Sequence, residues 1–106
     1  MKKTLLVTAI LSLLAGCASN LIDVRPGSGT IQLAKPNQVE GCESKGKIDV
    51  SVLAKVGFIS RSYDDVEADL LQLARNGAVD AGGDTVVKGP STEYGRRTYL
   101  IYKCRP

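Results

Sequence analysis

The chain has no histidine and no tryptophan, and its 106 residues include one methionine and one phenylalanine. The absence of histidine removes both the commonest general base and the commonest metal ligand in proteins. No Cys-x-x-Cys spacing is present, so the cysteine pairs of an ordinary zinc site are missing as well. We therefore expect no metal site and no cofactor.

A strong excess of charge of one sign is also lacking, because the chain has 14 basic and 11 acidic side chains. A protein that binds nucleic acid usually presents a clearly basic surface, so that class has no electrostatic support. The length holds one domain at most. A hydrophobic fraction of 43% argues against disorder throughout the chain.

The nearest approach to a pair of catalytic carboxylates is the group Asp64, Asp65 and Glu67. These residues follow Ser62, where a helix is expected to begin, and the positive end of a helix dipole stabilises acidic side chains there. Ser60 and Ser62 have no base nearby in the sequence. We expect helix capping here, no catalytic residue, and a protein that is not an enzyme.

The N-terminus has the organisation of a secretory signal, with two lysines, an apolar run over residues 5–14 and small residues before Cys17. Residues 14–17, Leu-Ala-Gly-Cys, resemble the lipobox of bacterial lipoproteins, in which the chain is cut before the cysteine and the cysteine is then acylated, for example with palmitate. An ordinary cleaved signal with an unrelated cysteine is the alternative. Ala18 stands where aspartate would signal retention in the inner membrane, so the resemblance implies the outer membrane.

This resemblance predicts three segments. Residues 1–16 form the signal peptide, residues 17–29 are the lipidated Cys17 and a short tether, and residues 30–106 form a domain that faces the periplasm. Pro26, Gly27 and Gly29 are typical of a linker.

Three cysteines are an odd number, and lipidation of Cys17 leaves Cys42 and Cys104 as a pair. The periplasm is oxidising, so we expect a structural disulfide between them. A redox-active pair is the alternative, but their separation of 62 residues is unlike that of a catalytic dithiol.

The hydrophobic pattern predicts strands at residues 30–34, 39–52, 85–88 and 97–104, with Gly41 and Gly46 as bend or bulge points. A helix is expected from Ser62, ended by Gly82 and Gly83. Its apolar face is formed by Val66, Leu70, Leu73, Ala74, Gly77 and Ala81. The order β-β-α-β-β indicates a small α+β domain with one helix packed on a mainly antiparallel sheet and one disulfide.

The two faces of the last predicted strand suggest a binding surface. Thr98, Leu100, Tyr102 and Cys104 share one face, which we assign to the core with the disulfide. Tyr99 and Ile101 then lie on the other face, as a contact for a partner protein rimmed by Arg96, Arg97 and Lys103. The alternative is a sheet face covered by the loops of the domain itself.

Several short motifs in fixed order carry a wider resemblance. They are Cys42, Gly46, Leu-Ala-Arg-Asn-Gly-Ala at 73–78, Gly-Gly-Asp-Thr-Val-Val at 82–87 and Tyr-Lys-Cys at 102–104. The chain resembles small enterobacterial-type lipoproteins of unknown function, which are similar in turn to the sensor lipoprotein of the Rcs envelope-stress phosphorelay. The sensor has four cysteines in its domain and a long basic tether, whereas this chain has Cys42 and Cys104 and a short tether. The resemblance therefore implies the uncharacterised lipoprotein family.

These observations favour a non-enzymatic outer-membrane lipoprotein whose periplasmic domain binds an envelope protein or monitors the state of the envelope. The alternative is a structural lipoprotein that assembles with itself, and the valine-rich segment 85–87 offers a sheet edge for such a homo-oligomer.

Overall fold

The computed structural model describes residues 22–106. The predicted signal peptide, Cys17 and the first residues of the tether lie outside this range. The elements are β1 (Gln32–Ala34), β2 (Glu43–Ser51), β3 (Lys55–Val56), β4 (Ile59–Ser60), α1 (Tyr63–Ala81), β5 (Thr85–Lys88) and β6 (Arg96–Lys103), with short 3₁₀ turns at Ser28–Thr30 and Pro36–Gln38. Within this range, no helix has both the length and the apolar character needed to cross a bilayer.

The main sheet has four strands in the order β1-β5-β6-β2. β5 and β6 pair antiparallel, as do β6 and β2, whereas β1 runs parallel to β5. One helix packs on this mixed sheet, so the predicted α+β class and the β-β-α-β-β frame are confirmed. The hairpin of β3 and β4 is an addition to that frame.

Helix α1 begins and ends where the sequence predicts. The Ser62 hydroxyl accepts a hydrogen bond from the Asp65 N–H at 3.2 Å, and Gly82 adopts a left-handed φ of 76° after the last turn. The fully buried positions recur every fourth residue, at Val66, Leu70, Ala74 and Ala78. This spacing forms one stripe against the sheet.

Gly77 lets α1 approach β2 closely, as its place on the apolar face predicts. A Cβ atom added at Gly77 would clash with the Cδ1 atom of Ile48. Ile48 and Val52 pack against the core, and Val50 is buried in it. The inward face predicted for this strand is therefore confirmed, and the predicted bulge lies between Ser44 and Gly46.

The predicted orientation of β6 is wrong. Tyr99 and Ile101 are 0% and 3% exposed and belong to the core cluster beneath α1, together with Val86. The prediction assumed that Cys104 points into the core and gave Leu100 and Tyr102 the same side. Cys104 instead follows the end of β6 and is exposed, so it carries no information about the inward face.

The predicted disulfide is confirmed, since Cys42 and Cys104 are bonded with their Cα atoms 4.6 Å apart. Cys42 directly precedes β2 and Cys104 directly follows β6. The bond therefore closes the end of the antiparallel pair β2–β6 at the rim of the sheet.

The predicted free edge at residues 85–87 is wrong as well. β5 pairs with β1 on one side and with β6 on the other, so it lies inside the sheet. Val87 is buried on the face opposite α1. Together with the Pro36–Gln38 turn, it lines a groove on that face. The outer strands are β1 and β2.

The described part of the tether packs on the domain. Asn76 on α1 accepts a hydrogen bond from the Arg25 N–H at 3.0 Å and donates one to the Asp23 carbonyl oxygen at 2.6 Å. Gln72 donates to the buried Ser28 hydroxyl at 3.1 Å. Residues 23–28 therefore lie along the outer side of α1.

Candidate functional site

The predicted partner surface on β6 is not formed. Tyr99 and Ile101 are buried in the core, so they cannot contact a partner. Arg97 lies on the helix side, where its Nε donates to Glu67 Oε1 at 2.9 Å and its Nη1 donates to the Gly89 carbonyl oxygen at 2.8 Å. Arg96 is exposed on the opposite face. These residues therefore form no common binding surface.

Among the described residues, Glu67 has a structural role, because its carboxylate pairs with basic side chains from two strands of the sheet. In addition to Arg97, the Lys88 ammonium lies 3.4 Å from Glu67 Oε1, so α1, β5 and β6 are tied together at one end of the sheet. Asp64 and Asp65 lie exposed in the first turn of α1. The three predicted carboxylates thus serve the helix and its packing.

Lys103, the last predicted partner residue, belongs to a cluster around Asp84. Asp84 is 6% exposed and accepts hydrogen bonds from the backbone N–H groups of Cys104 at 2.8 Å and Arg105 at 2.7 Å. The Thr85 hydroxyl donates at 2.9 Å, and the Lys103 ammonium lies at 3.4 Å. Burial raises the pKa of Asp84, but these donors outweigh burial and hold that pKa well below its usual range. This carboxylate fixes the chain at the disulfide.

Tyr99 has a buried hydroxyl with no hydrogen-bond partner among the described residues. Burial, followed by the nearby negative charge of Glu67, raises the pKa of Tyr99. The unpaired hydroxyl is therefore a cost of packing the Tyr99 ring in the core. Within residues 22–106, no group of three or more Cys, Asp or Glu side chains is arranged to hold a metal ion.

Among the described residues, five of the seven exposed large hydrophobic side chains lie on or next to β3 and β4 or in the loop that contacts them. We call this group the hairpin surface, and it consists of Leu53, Phe58, Ile59, Tyr63 and Tyr94. Leu53, Phe58 and Ile59 are each at least 73% exposed. Exposed apolar groups gathered in one place mark a contact with a protein or a membrane.

Arg61 holds the base of this hairpin. Its N–H donates to the Ala54 carbonyl oxygen at 2.7 Å, its Nη1 donates to the Leu53 carbonyl oxygen at 2.9 Å, and its Nη2 donates to Asp69 Oδ2 at 2.6 Å. The Tyr94 hydroxyl donates to the Arg61 carbonyl oxygen at 2.6 Å. The hairpin is therefore fixed to α1 and to the loop before β6.

The aromatic pair on the hairpin surface is ordered by the same contacts. The rings of Tyr63 and Tyr94 stack with their centroids 6.4 Å apart. Sequence reasoning missed this surface, although two large apolar residues, Phe58 and Ile59, directly after the turn residue Gly57 are a signal for it.

A second candidate surface lies at the β1 edge. A groove of about 350 Å³ runs between β1, the Pro36–Gln38 turn and the end of β5. Leu33, Ala34 and Val87 supply its apolar lining, and Leu33 is 46% exposed. The β1 edge thus combines free strand backbone with an apolar groove.

The comparisons with known proteins return no relative: no protein-family model, no curated protein and no solved structure matches the chain.

Proposed function

We propose that the chain is a non-enzymatic outer-membrane lipoprotein, anchored through acyl chains on Cys17, whose domain binds an extended segment of an envelope protein and so monitors the state of the envelope. The observation that supports this proposal best is the open β1 edge beside its apolar groove. An edge strand offers a row of unpaired N–H and C=O groups to another chain, and a neighbouring groove selects its side chains.

The backbone geometry of β1 shows which groups are offered. The Gln32 N–H donates to the Asp84 carbonyl oxygen at 2.9 Å, so Gln32 turns its backbone groups toward β5. Because these directions alternate along a strand, the N–H and C=O groups of Leu33 turn outward. Apart from the pairing of β1 with β5, no backbone hydrogen bond joins them to another described residue.

The two edges of the sheet differ in charge. The β2 edge carries Glu43, Lys45, Lys47 and Asp49, and charged side chains, lysine above all, protect an edge against pairing. The β1 edge consists of Gln32, Leu33 and Ala34. Strand addition is therefore favoured at β1.

The anchor rests on the lipobox-like sequence that ends at Cys17. Each buried CH₂ of an acyl chain contributes about 0.8 kcal/mol, so a cysteine with two or three chains holds a protein on its membrane stably. Radioactive palmitate tests this step, because the label should enter the wild type and be absent from a Cys17→Ser variant.

Crosslinking in native envelopes tests the partner. A photoreactive residue in place of Lys35, which lines the groove, should capture one envelope protein. Leu33→Pro removes the outward donor without removing a hydrogen bond to β5, so it should abolish that capture. The matched control is Lys45→Pro at the bulge of β2, which should leave capture intact.

Equal capture in the wild type and the Leu33→Pro variant would contradict strand addition at β1. A product that contains only the chain itself would favour the alternative, a self-assembling structural lipoprotein that pairs β1 with β1.

A further inference from the structure

We propose that the hairpin surface is a second membrane contact, with the tip of the β3–β4 hairpin inserted into the lipid surface to which the acyl chains attach. This inference rests on the anchor at Cys17 in the proposed function. It assigns lipid as the occupant of the hairpin surface and leaves the β1 edge to the protein partner.

The first support is the place where the described chain begins. Ile22 lines one cavity of about 270 Å³ together with Leu53 of the hairpin surface and with Arg61, the residue that holds the hairpin. The path of the chain toward the anchor therefore starts at the base of the hairpin.

The second support is the length of chain that remains. Only five residue steps separate Ile22 from Cys17. A fully extended chain spans at most about 3.6 Å per residue, so the acylated cysteine lies within about 18 Å of Ile22. The hairpin surface, whose Leu53 lines the same cavity as Ile22, is therefore within reach of the membrane that holds the anchor.

The third support is the chemistry of the tip. Gly57 adopts a left-handed φ of 63° and makes the turn, and Phe58 and Ile59 follow it with their side chains in solvent. Phe58 is 106% exposed, so it makes no packing contribution to the domain. Tyr63 and Tyr94 lie behind the tip, and tyrosine, with an apolar ring and a polar hydroxyl, suits the lipid headgroup region.

Charges near the tip determine the kind of binding. Lys55 is exposed, Arg61 is paired with Asp69 at 2.6 Å, and Asp64 and Asp65 are exposed in the first turn of α1. The local charges do not add up to a basic patch. Insertion is therefore driven by apolar burial, and it should depend little on salt.

The absence of tryptophan makes a direct test possible, since Phe58→Trp creates a single fluorescent reporter at the tip. The lipidated, full-length mature protein would be reconstituted in vesicles of phosphatidylethanolamine and phosphatidylglycerol, with and without brominated acyl chains. Emission of the Phe58→Trp variant should move to shorter wavelength and be quenched by the brominated lipid. The matched control is Leu33→Trp, at an exposed apolar position on β1, which should be quenched far less.

A second substitution examines the same contact without changing the reporter. Ile59→Asp, at a 74% exposed position outside the core, should abolish the quenching of the Phe58→Trp variant and leave the fold intact. The quenching of the parent reporter should be equal at low and high salt.

Two outcomes would overturn the inference, namely an unquenched Phe58→Trp variant and equal quenching at Phe58→Trp and Leu33→Trp. In the first case, a blue shift that follows protein density would indicate that the hairpin surface contacts a second copy. Failure of the anchor itself is seen separately, since the protein would then not float with the vesicles and would lack the mass of the acyl chains.

Discussion

Removal of the Cys42–Cys104 disulfide should destabilise the domain by about 4 kcal/mol. The bond joins residues 62 positions apart, and in the chain-entropy model a loop of that size restricts the unfolded chain by roughly that amount at 25 °C. Both cysteines lie at the rim of the sheet, and Cys104 is exposed. The effect should therefore act mainly through the unfolded state, because few packing contacts are lost in the folded one.

The magnitude matters because the core is small. A domain of this size gains about 3–5 kcal/mol from its core. Without the bond, that core contribution is what remains, so the disulfide should supply about half of the net stability of the domain.

Urea unfolding of the oxidised protein and of a Cys42→Ser/Cys104→Ser variant measures this directly. With a slope between about 1 and 2 kcal/mol per molar urea, the midpoint should fall by about 2–4 M. The slope should also increase, because an unfolded chain without the crosslink exposes more surface. Serine at position 104 keeps the backbone N–H that donates to Asp84. The variant therefore removes the disulfide without removing that hydrogen bond. Equal midpoints would refute the argument.

Three further changes test the packing and the buried polar groups. Gly77→Val should destabilise the domain by about 1–3 kcal/mol through its clash with Ile48, and Ile48→Ala should recover part of the loss in a double-mutant cycle of chemical unfolding. Tyr99→Phe should leave the unfolding midpoint unchanged or raise it, because the hydroxyl has no partner, whereas Tyr99→Ala should cost about 3–5 kcal/mol; a large loss in Tyr99→Phe would contradict the assignment of that hydroxyl. Asp84 has a lowered pKa in the folded state, so its contribution is present above the unfolded pKa of about 4 and is lost as the pH falls toward the lower folded pKa. Thermal unfolding between pH 7 and pH 2 should show this loss in the wild type and a flatter curve in Asp84→Asn, and parallel curves would exclude the role of the carboxylate.

The sequence predicted well those parts of the fold in which a residue pattern is compatible with only one local structure. Ser62 followed by Asp65 marks a helix start. The predicted apolar face shares Val66, Leu70 and Ala74 with the observed buried stripe. It included Ala81, which is exposed, and omitted Ala78, which is buried. Gly77 in that face predicted a close approach, and Ile48 supplies it. The disulfide followed because only Cys42 and Cys104 remain once Cys17 is assigned to lipid.

The orientation of β6 was not predictable from its pattern. Both of its faces carry large apolar side chains, with Tyr99 and Ile101 on one and Leu100 and Tyr102 on the other, so alternation does not choose between them. The prediction of the buried face therefore depended on Cys104, which lies beyond the end of β6. The face that carries Tyr99 is the buried one, because α1 packs on it.

Both candidate surfaces escaped the sequence analysis for a related reason. β3 and β4 have two residues each, which is too short for a periodic pattern. β1 has three residues, and its parallel pairing with β5 depends on a crossover that brings together segments more than 50 positions apart. The positions of such short strands depend on how the longer strands and the helix pack, and their own sequences do not reveal that packing.

The two proposed contacts can form at the same time because the hairpin surface and the groove adjoin different outer strands of the sheet. The hairpin follows β2, one outer strand, whereas the groove borders β1, the other outer strand. Three strand spacings of about 4.8 Å separate these edges by about 14 Å. Lipid contact at the hairpin surface therefore does not occupy the β1 edge. In the proposed arrangement, the acyl chains attach the protein to the membrane at one point and do not by themselves set the orientation of the domain. A second contact at Phe58 would hold the β1 edge at one orientation to the membrane. Because an ordered site loses less entropy on binding, substitutions at Phe58 should weaken crosslinking at Lys35 even though the two positions lie on different surfaces.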